Sequence, residues 1–553
     1  MGRNFEPDEV GPTCSFGGAM TIRETMESVV ARREKQVFLI DATSGREITY
    51  GEFHRLACAL AADLRRRGVR KGDRVGVMVP NCWELAVLYF ACIYLGAVIV
   101  PINPALGQGE VQFIIESSKP ALIVASGAHA ESASALDAKV LRLLTAGEVL
   151  SGDSSDKIKV DQLQEASDFV PLETADGDDL VVIMYTSGTS ARPKGLAHKL
   201  GRMFRNATAF AKAQGIDQDA RFYLTLSMSY MGGFYNLQIL PFLCGASVVV
   251  DHVFDARSSL HFWEKAKNYK VNTLWMAPTV LSILLRMDRG RTGEEFCRSC
   301  VRHAFVGFAP LPLKVKNEFE ARYGVRLTEN YGLSETLFVT ARSQNVLAGN
   351  GYVGEALPGI TIRIVNDDGE SIAQGIDGEV QILTPDLMAG YLDADGHLAE
   401  VDASAWFATG DVGRLDSGNS LSITGRKKDL IIRGGVNISP AAIEEVLMQV
   451  KGVAEAAVVS IPHELYGEDV VAVLKLDAGV ELDFLLDGLV AHAKRGLAQH
   501  QQPARYIAID ELPRTANGKV QKARIRELVA EKLQLGSSAT FRKQPTESAN
   551  VSR

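Results

Sequence analysis

The chain has 553 residues, a net charge of -8 and 46% hydrophobic residues. This length exceeds what one hydrophobic core organises and predicts about three or four domain-sized units. The acidic balance argues against a general affinity for nucleic acid or for an anionic membrane surface, because either would need a basic face.

Cysteines and apolar runs bear on the cellular compartment. Seven cysteines are scattered, and the only close pair is Cys297-Arg-Ser-Cys300. A single C-x-x-C favours free thiols in a reducing compartment over a zinc site. The longest apolar run, 85–100, is shorter than a membrane span and is interrupted by Gly96. We therefore expect a cytoplasmic protein without an integral membrane segment.

The first part of the chain alternates between two periodicities. Residues 1–20 predict a loose arm, and Thr21-Ile-Arg-Glu24 is a capping box that predicts a helix through about Arg33. Strand-like runs then alternate with helical stretches such as 50–67, which predicts a parallel α/β sheet. The runs are Val37–Ile40, Arg74–Met78, Ala97–Val100 and Ala121–Val124.

The later segments change in character. A second α/β unit is predicted from Leu180 to beyond Gly332, followed at about 351–422 by short strands that predict a small β-rich element. A closing segment of about a hundred residues contains a helix with Ser439 as its cap. The apolar face of this helix is Ile443, Val446, Leu447 and Val450, and the tail after Leu535 predicts disorder.

The stretch Tyr185-Thr-Ser-Gly-Thr-Ser-Ala-Arg-Pro-Lys-Gly195 follows an apolar run and suits phosphate. Its hydroxyls, Gly188 and Lys194 offer donors, close backbone approach and charge. A Walker A loop is excluded because Pro193 precedes Lys194 and Gly195 replaces the required Ser or Thr. A plain surface turn remains the alternative from this stretch alone.

Four further segments occur in a fixed order. They are "ENYGLSET" (329–336), "ATGDVGRLD" (408–416), "GRKKDLIIRGGVNISPAAIEE" (425–445) and "PRTANGKVQK" (513–522). With the phosphate stretch, they resemble the signature motifs of the adenylate-forming superfamily, in its acyl-CoA synthetase branch. The resemblance extends from Val37 to about Leu533.

The resemblance implies a multidomain α/β fold. It implies a large N-terminal domain of two α/β sheets plus a small β-barrel, over 21–428. A small mobile α+β C-terminal domain would follow over 429–534, with Asp429 as the hinge.

The implied reaction has two steps. A carboxylate would attack the α-phosphate of ATP to give acyl-AMP and pyrophosphate, and the thiol of CoA would then take the acyl group. The implied cofactors are ATP, Mg²⁺ and CoA. The form "RGGVNISP" resembles CoA ligases more than peptide-synthetase domains, which favours CoA as the acceptor.

The resemblance also implies roles for individual residues. Lys519 would bridge the carboxylate and phosphate oxygens, and Glu335 with Thr186 would serve catalysis and hold magnesium. Tyr331 would pack on adenine, Asp411 would accept the ribose hydroxyls, and Arg426 would lie at the ribose and phosphate. Gly434 and Gly435 would admit the pantetheine arm. Further nucleotide contacts are expected from Ser187, Gly188, Thr189, Ser190, Lys194, Asn330, Gly332 and Ser334.

Three positions depart from the family pattern. Ala191 replaces a glycine in the phosphate stretch, Tyr230 replaces a common histidine beside the carboxylate, and Phe308 replaces a glycine. A phenyl ring at Phe308 should narrow the acyl channel. The predicted pocket is apolar, which favours an uncharged fatty or aryl acid. Its expected walls are Tyr230, Phe234, Trp275, Met276, Ala277, Gly307, Phe308 and Leu333.

Two other functions stay open at this point. The first is an adenylating enzyme that loads the acid onto the phosphopantetheine of an acyl carrier protein. The second is a degenerate regulator that binds AMP or an acyl ligand without turnover, against which the intact Lys194, Glu335, Asp411 and Lys519 count.

Overall fold

A computed structural model of the chain describes residues 21–134, 139–145, 157–163, 169–173, 176–186, 193–341, 351–393, 395–515 and 519–534. The predicted arm at 1–20 and the predicted tail lie outside these residues. Within the described ranges, no helix is both long and apolar enough to cross a membrane. The cytoplasmic location stays a prediction.

The first segment begins with the predicted capping box. The amide of Glu24 donates to the Thr21 hydroxyl at 3.2 Å, and the Glu24 carboxylate accepts from the Thr21 amide at 2.7 Å. The helix prediction is therefore confirmed. The elements are α1 Ile22–Arg33, β1 Val37–Asp41, β2 Glu47–Thr49, α2 Tyr50–Arg66, β3 Arg74–Met78, α3 Trp83–Leu95, β4 Val98–Pro101, α4 Gln108–Ser118, β5 Leu122–Ser126, α5 Ala128–Ser134, β6 Val140–Leu144 and β7 Lys157–Lys159.

The middle segment again alternates strands with helices and contains one π-helix. The elements are β8 Leu180–Thr186, β9 Lys194–Lys199, α6 Leu200–Gln214, β10 Arg221–Leu224, the π-helix Gly232–Ile239, α7 Leu240–Cys244, β11 Ser247–Val250, α8 Phe262–Asn268, β12 Thr273–Met276, α9 Pro278–Met287, α10 Thr292–Cys300, β13 His303–Val306, α11 Leu313–Tyr323 and β14 Thr328–Glu329.

The last segment is rich in strands before its closing helices. The elements are β15 Gly332–Leu333, β16 Leu337–Phe338, β17 Thr340–Ala341, β18 Tyr352–Ala356, β19 Thr361–Val365, β20 Gly378–Leu383, β21 Gly390–Leu392, β22 Leu398–Glu400, β23 Phe407–Leu415, β24 Ser420–Arg426, β25 Ile431–Arg433, β26 Val436–Ile438, α12 Pro440–Met448, β27 Val453–His463, β28 Gly467–Leu476, α13 Leu482–Gly496, β29 Arg505–Ala508 and α14 Lys522–Gln534.

The described residues form five sheets, of which the smallest is the two-stranded pair β15-β16. Two belong to α/β layers, with orders β22-β21-β9-β8-β4-β3-β5-β6-β7 and β14-β13-β12-β10-β11-β1-β2. A six-stranded half-barrel has the order β17-β18-β24-β23-β20-β19, and the carboxyl-terminal domain has β26-β25-β28-β27 with β29 beside β28. The predicted fold class is confirmed.

The two α/β sheets do not follow one another along the chain. Strand β1 pairs in parallel with β11, through Ile40 and Val249, whereas β8 pairs in parallel with β4, through Ile99 and Val182. The sequence predicts one sheet from the strands up to Val124 and a second from the strands after Leu180. This division is wrong, because β1 belongs to the sheet of the later strands and β8 to the sheet of the earlier ones. Buried strands of both sheets need the same apolar runs, so local pattern does not reveal which sheet a strand joins.

The helix capped by Ser439 differs from its prediction in two details. Ser439 occupies the N-cap position, but its hydroxyl donates to the Thr424 carbonyl oxygen at 2.6 Å instead of capping the helix. The helix ends at Met448, so Val450 lies beyond it. Ile443 and Leu447 are buried as predicted.

Candidate active site

The half-barrel brings a carboxylate and a guanidinium into direct contact. Asp411 on β23 and Arg426 at the end of β24 are register partners in an antiparallel pair. The Arg426 Nε lies 2.5 Å from Asp411 Oδ1. The Asp411 side chain is buried, whereas that of Arg426 is 42% exposed and reaches toward solvent. The pair therefore presents a fixed acceptor beside a cation.

Tyr331 completes this group from the other side. Its hydroxyl donates to Asp411 Oδ2 at 2.6 Å, so both carboxylate oxygens have partners. Burial raises the pKa of Asp411, and the attraction of Arg426, the Tyr331 hydrogen bond and the charge of Lys519 oppose that rise. Burial also raises the pKa of Tyr331, and the adjacent carboxylate adds to the rise. Tyr331 is therefore a neutral donor at neutral pH.

Lys519 comes from the carboxyl-terminal domain into the field of this group. The residue as a whole is exposed, but protein packed around its charge desolvates it and lowers the pKa of Lys519. Arg426 adds to the lowering, while Glu335 and Asp411 act in the opposite direction. The charge of Lys519 therefore interacts with the carboxylates of Glu335 and Asp411.

Glu335 is held from a third sheet. Tyr391 on β21 donates its hydroxyl to Glu335 Oε1 at 3.0 Å, and the Met388 amide donates to the Glu335 carbonyl oxygen at 2.7 Å. The ammonium of Lys194 lies over the Tyr391 ring at 5.7 Å from its centroid. Lys194 and Glu335 therefore flank the same tyrosine.

The segment that carries Glu335 is anchored by a buried histidine. His198 on β9 is fully buried and donates through Nε2 to the Ser334 carbonyl oxygen at 2.6 Å. Desolvation lowers the pKa of His198 to about 4, so its ring is neutral at neutral pH. Gly332 packs so closely that a Cβ would lie 2.1 Å from the Leu337 carbonyl oxygen. The amide of Leu333 donates to the Thr336 hydroxyl at 3.1 Å.

The predicted phosphate stretch is described only at its ends. Thr186 closes β8 and is the register partner of Lys194, which opens β9, so the two residues form the neck of the loop. Ser187, Gly188, Thr189, Ser190 and Ala191 lie outside the described residues. Their predicted phosphate contacts stay predictions.

Phe308 adopts a strained backbone and packs on a glycine. Its φ is +73°, in the left-handed region that disfavours a bulky side chain. A Cβ at Gly232 would lie 2.7 Å from the Phe308 Cε1 and 3.3 Å from Leu226 Cδ1. Phe308 and the segment that carries Tyr230, two departures from the family pattern that the sequence analysis treated separately, therefore lie in contact through Gly232.

The other predicted walls have different surroundings. Tyr230 accepts a hydrogen bond from Asn103 Nδ2 at 2.9 Å, and burial raises its pKa. Phe234 is fully buried against Tyr89, with ring centroids 5.1 Å apart. Met276 packs in a separate core cluster from Trp275, so its predicted wall role gains no support from these contacts.

The predicted hinge residue, Asp429, and the predicted pantetheine glycines lie in the carboxyl-terminal part of the chain. Asp429 ends a 3-10 turn and lies 3.7 Å from the Arg526 guanidinium. Gly434 and Gly435 form the turn between β25 and β26, with φ of +59° and +82°. The Gly434 amide donates to the Tyr466 carbonyl oxygen at 2.8 Å. These contacts stay within the small domain.

Sequence reasoning missed Tyr391, His198 and Asn103. Each lies in a segment without a recognised motif and acts on a predicted site residue through one hydrogen bond. Strand β21 pairs antiparallel with β9, and this long-range pairing places Tyr391 beside Lys194 and Glu335. No local pattern signals such a contact.

The chain is similar to known proteins in both sequence and structure. The model of the AMP-binding enzyme family matches residues 26–392, and that of the AMP-binding enzyme C-terminal domain matches 442–519. The indoleacetate–CoA ligase of Aromatoleum aromaticum is 32% identical, with 88% of this chain and 94% of that protein covered. The sulfoacetate–CoA ligase of Cupriavidus necator is 29% identical, with 91% and 97% covered. The ATP-bound structure of MatB from Rhodopseudomonas palustris has a TM-score of 0.80 at 26% identity, with 92% and 99% covered.

Proposed function

The chain belongs to the family of AMP-binding enzymes, and on that premise we propose which acid it takes and which residues act on it. It is an AMP-forming acid–CoA ligase that activates a carboxylic acid with ATP and transfers the acyl group to CoA. The proposed acid is an uncharged fatty or aryl acid.

One observation carries the assignment of residues. Lys519 of the small domain lies in the field of Asp411, Glu335 and Arg426 of the large domain. A cation that is attracted by the carboxylates of Glu335 and Asp411 suits a transition state in which negative charge builds on both the acid and the phosphate. We assign to Lys519 the bridging of these oxygens in the first step.

The first step forms one bond and breaks another. A carboxylate oxygen attacks the α-phosphorus, and the bond from that phosphorus to the pyrophosphate oxygen breaks. Asp411 accepts the ribose hydroxyls, Tyr331 packs on adenine and Lys194 binds the leaving pyrophosphate. Placement of the two reactants side by side supplies a large part of such a rate enhancement.

Magnesium suits the donors on this surface. The Glu335 carboxylate, fixed through Tyr391, and the Thr186 hydroxyl are hard oxygen ligands. Within the described ranges, no group of three His, Cys, Asp or Glu residues could hold a metal ion. Glu335 and Thr186 would therefore hold a magnesium ion that enters with the ATP phosphates, whose charge it would neutralise.

The second step exchanges the acceptor. The thiol sulfur of CoA attacks the acyl carbon, the bond to AMP breaks, and Gly434 with Gly435 admits the pantetheine arm. An uncharged acid is supported by the side chains nearest to the Cβ position of Gly307, which are Trp275 and Asn330, and by the Phe308 ring beside Gly232. None of Trp275, Asn330 and Phe308 carries a charge.

A pyrophosphate-release screen over fatty, aryl and branched acids tests the proposal. We expect release with uncharged acids, and a CoA thioester by mass spectrometry when CoA is present. Side-by-side assays with acyl carrier proteins test the alternative acceptor. If no acid in the screen gave pyrophosphate release, the result would support a regulator that binds AMP or an acyl ligand without turnover.

A further inference from the structure

Two buried polar atoms near the proposed acid pocket have no hydrogen-bond partner. They are Nε1 of Trp275 and Oδ1 of Asn330, and neither has a partner among the residues that the structure describes. Trp275 as a residue is only 1% exposed. Buried donors and acceptors are nearly always paired in folded proteins, so each exception requires an explanation.

Both atoms lie beside the same point. A Cβ at Gly307 would be 3.5 Å from Asn330 Oδ1 and 3.8 Å from Trp275 Nε1. Trp275 lies on β12, Gly307 follows β13 and Asn330 follows β14, and these three strands are parallel neighbours. Ligands of open α/β sheets bind at the carboxyl ends of the strands, where these residues lie.

The backbone conformation of Gly307 does not require a glycine at this position. Its φ is not among the positive values of the described glycines. The contacts of an added Cβ would be ordinary van der Waals contacts. The absence of a side chain at Gly307 therefore leaves space between the Trp275 N–H and the Asn330 carboxamide oxygen.

The donor cannot easily turn to another partner. The Trp275 ring stacks on Phe338 at 5.5 Å and 20°, and on Phe210 at 5.5 Å and 27°. The amide of Asn330 donates to the Val306 carbonyl oxygen at 3.3 Å, which ties its backbone to β13. Packing thus sets the direction of the Trp275 N–H, and the backbone hydrogen bond fixes the position on the sheet from which the Asn330 carboxamide projects.

We propose that Trp275 and Asn330 recognise a hydroxyl group on the acid, in the space beside Gly307. A hydroxyl oxygen accepts from the indole N–H and donates its proton to the carboxamide oxygen, so one group satisfies both atoms. This inference rests on the proposed acid–CoA ligase function and narrows its substrate class to hydroxylated acids. It also moves Asn330 from the nucleotide contacts to the acid pocket.

Matched acids provide the test. The ratio of kcat/KM for pyrophosphate release is measured for hydroxyl, hydrogen and methoxy congeners in aryl and medium-chain series. We expect at least one series in which the hydroxylated acid exceeds both congeners by about tenfold or more. Trp275→Phe, which keeps the aromatic stack, and Asn330→Ala should each bring that ratio close to one.

Gly307→Ala adds a third arm, because its methyl group fills the space without backbone strain. It should reduce kcat/KM for the hydroxylated acid more than for the smaller congener. Thermal unfolding checks each variant, and Asn330→Ala and Gly307→Ala keep the test decisive if Trp275→Phe does not fold.

Three results would overturn the inference. The first is the absence of a hydroxyl preference in every series that turns over, and the second is a preference that survives in both Trp275→Phe and Asn330→Ala. The third is a rise in the KM for ATP in Asn330→Ala with the acid ratio unchanged, which would assign the pair to the nucleotide. Failure of all acids to release pyrophosphate would contradict the proposed function itself.

Discussion

Phe308 has the least favourable backbone conformation among the predicted pocket residues. A non-glycine residue at φ +73° costs about 1–2 kcal/mol, and such strain often accompanies a functional site. The residue remains 36% exposed, so core burial does not offset this cost. We interpret the ring as a stop that limits the length or width of the acid.

Removal of this ring should change selectivity. Phe308→Gly should extend activity toward longer or wider acids, and it should raise the free energy of unfolding by about 1 kcal/mol as the strain is relieved. The acid profile of pyrophosphate release and denaturant unfolding measure the two effects.

Phe308→Ala is the matched control, because it removes the ring but keeps a Cβ at a positive φ. It should widen the profile without the gain in stability. An unchanged acid profile in both variants would remove Phe308 from the pocket wall.

At the scale of elements, the π-helix Gly232–Ile239 and the strand β9 each support the site. The π-helix starts at Gly232, where the absence of a side chain makes room for Phe308. Strand β9 carries Lys194 at its start and His198 further on, so one element supplies a cation and holds the segment of Glu335.

Gly232 and Phe308 should be energetically coupled. Gly232→Ala places a Cβ 2.7 Å from the Phe308 ring, so the ring must move, at a cost of about 1–3 kcal/mol in unfolding free energy and with a loss of activity. In the Phe308→Gly background the same change should cost far less. A double-mutant cycle by denaturant unfolding measures the coupling, and additive effects would contradict the contact.

His198 should make stability depend on pH. Its folded pKa of about 4 lies below the ordinary 6.5, so the unfolded chain binds more protons between these values. The free energy of unfolding should therefore fall as pH decreases from about 6.5 to about 4, by about 3 kcal/mol in total.

The measurement is denaturant unfolding of wild type and His198→Gln across this pH range. The variant should lose this part of the pH dependence, because glutamine does not titrate while its amide can donate to the Ser334 carbonyl. Identical pH profiles for both proteins would show that His198 is not a buried neutral group.

At the scale of the whole molecule, the sequence predicts the types of sheet correctly but assigns some strands to the wrong sheet. The order of the motifs was sufficient to predict the fold class, and the capping box at Thr21 was sufficient to predict the start of the first helix. The exchange of β1 and β8 between the sheets was not predictable, because apolar strand runs are alike in both. The contact of Phe308 with Gly232 and the bond from Ser439 to Thr424 depend on long-range geometry that no local pattern contains.

Motion between the domains is expected at Asp429. The domain boundaries at 428 and 429 stay predictions, and Asp429→Pro tests them by restricting the backbone torsion at the hinge. We expect one half-reaction to be impaired more than the other. Adenylation is measured by pyrophosphate release, and thioester formation from supplied acyl-AMP.

Asp429→Ala is the matched control, because it removes the contact with Arg526 and leaves the torsion free. It should impair neither half-reaction selectively. Parallel loss of both half-reactions in Asp429→Pro would argue against a hinge at this residue.

We propose above that Lys519 acts with Asp411, Arg426 and Glu335 in adenylation. The most direct measurement compares both half-reactions in wild type, Lys519→Ala and Lys522→Ala. Lys522 pairs with Glu444 at 2.7 Å within the small domain and is the matched control for loss of a cation. Lys519→Ala should slow acid-dependent pyrophosphate release by about 10²-fold or more. Thioester formation from supplied acyl-AMP should stay largely intact, and Lys522→Ala should change neither step comparably. Equal loss of both steps in Lys519→Ala would contradict a role of Lys519 that is specific to adenylation.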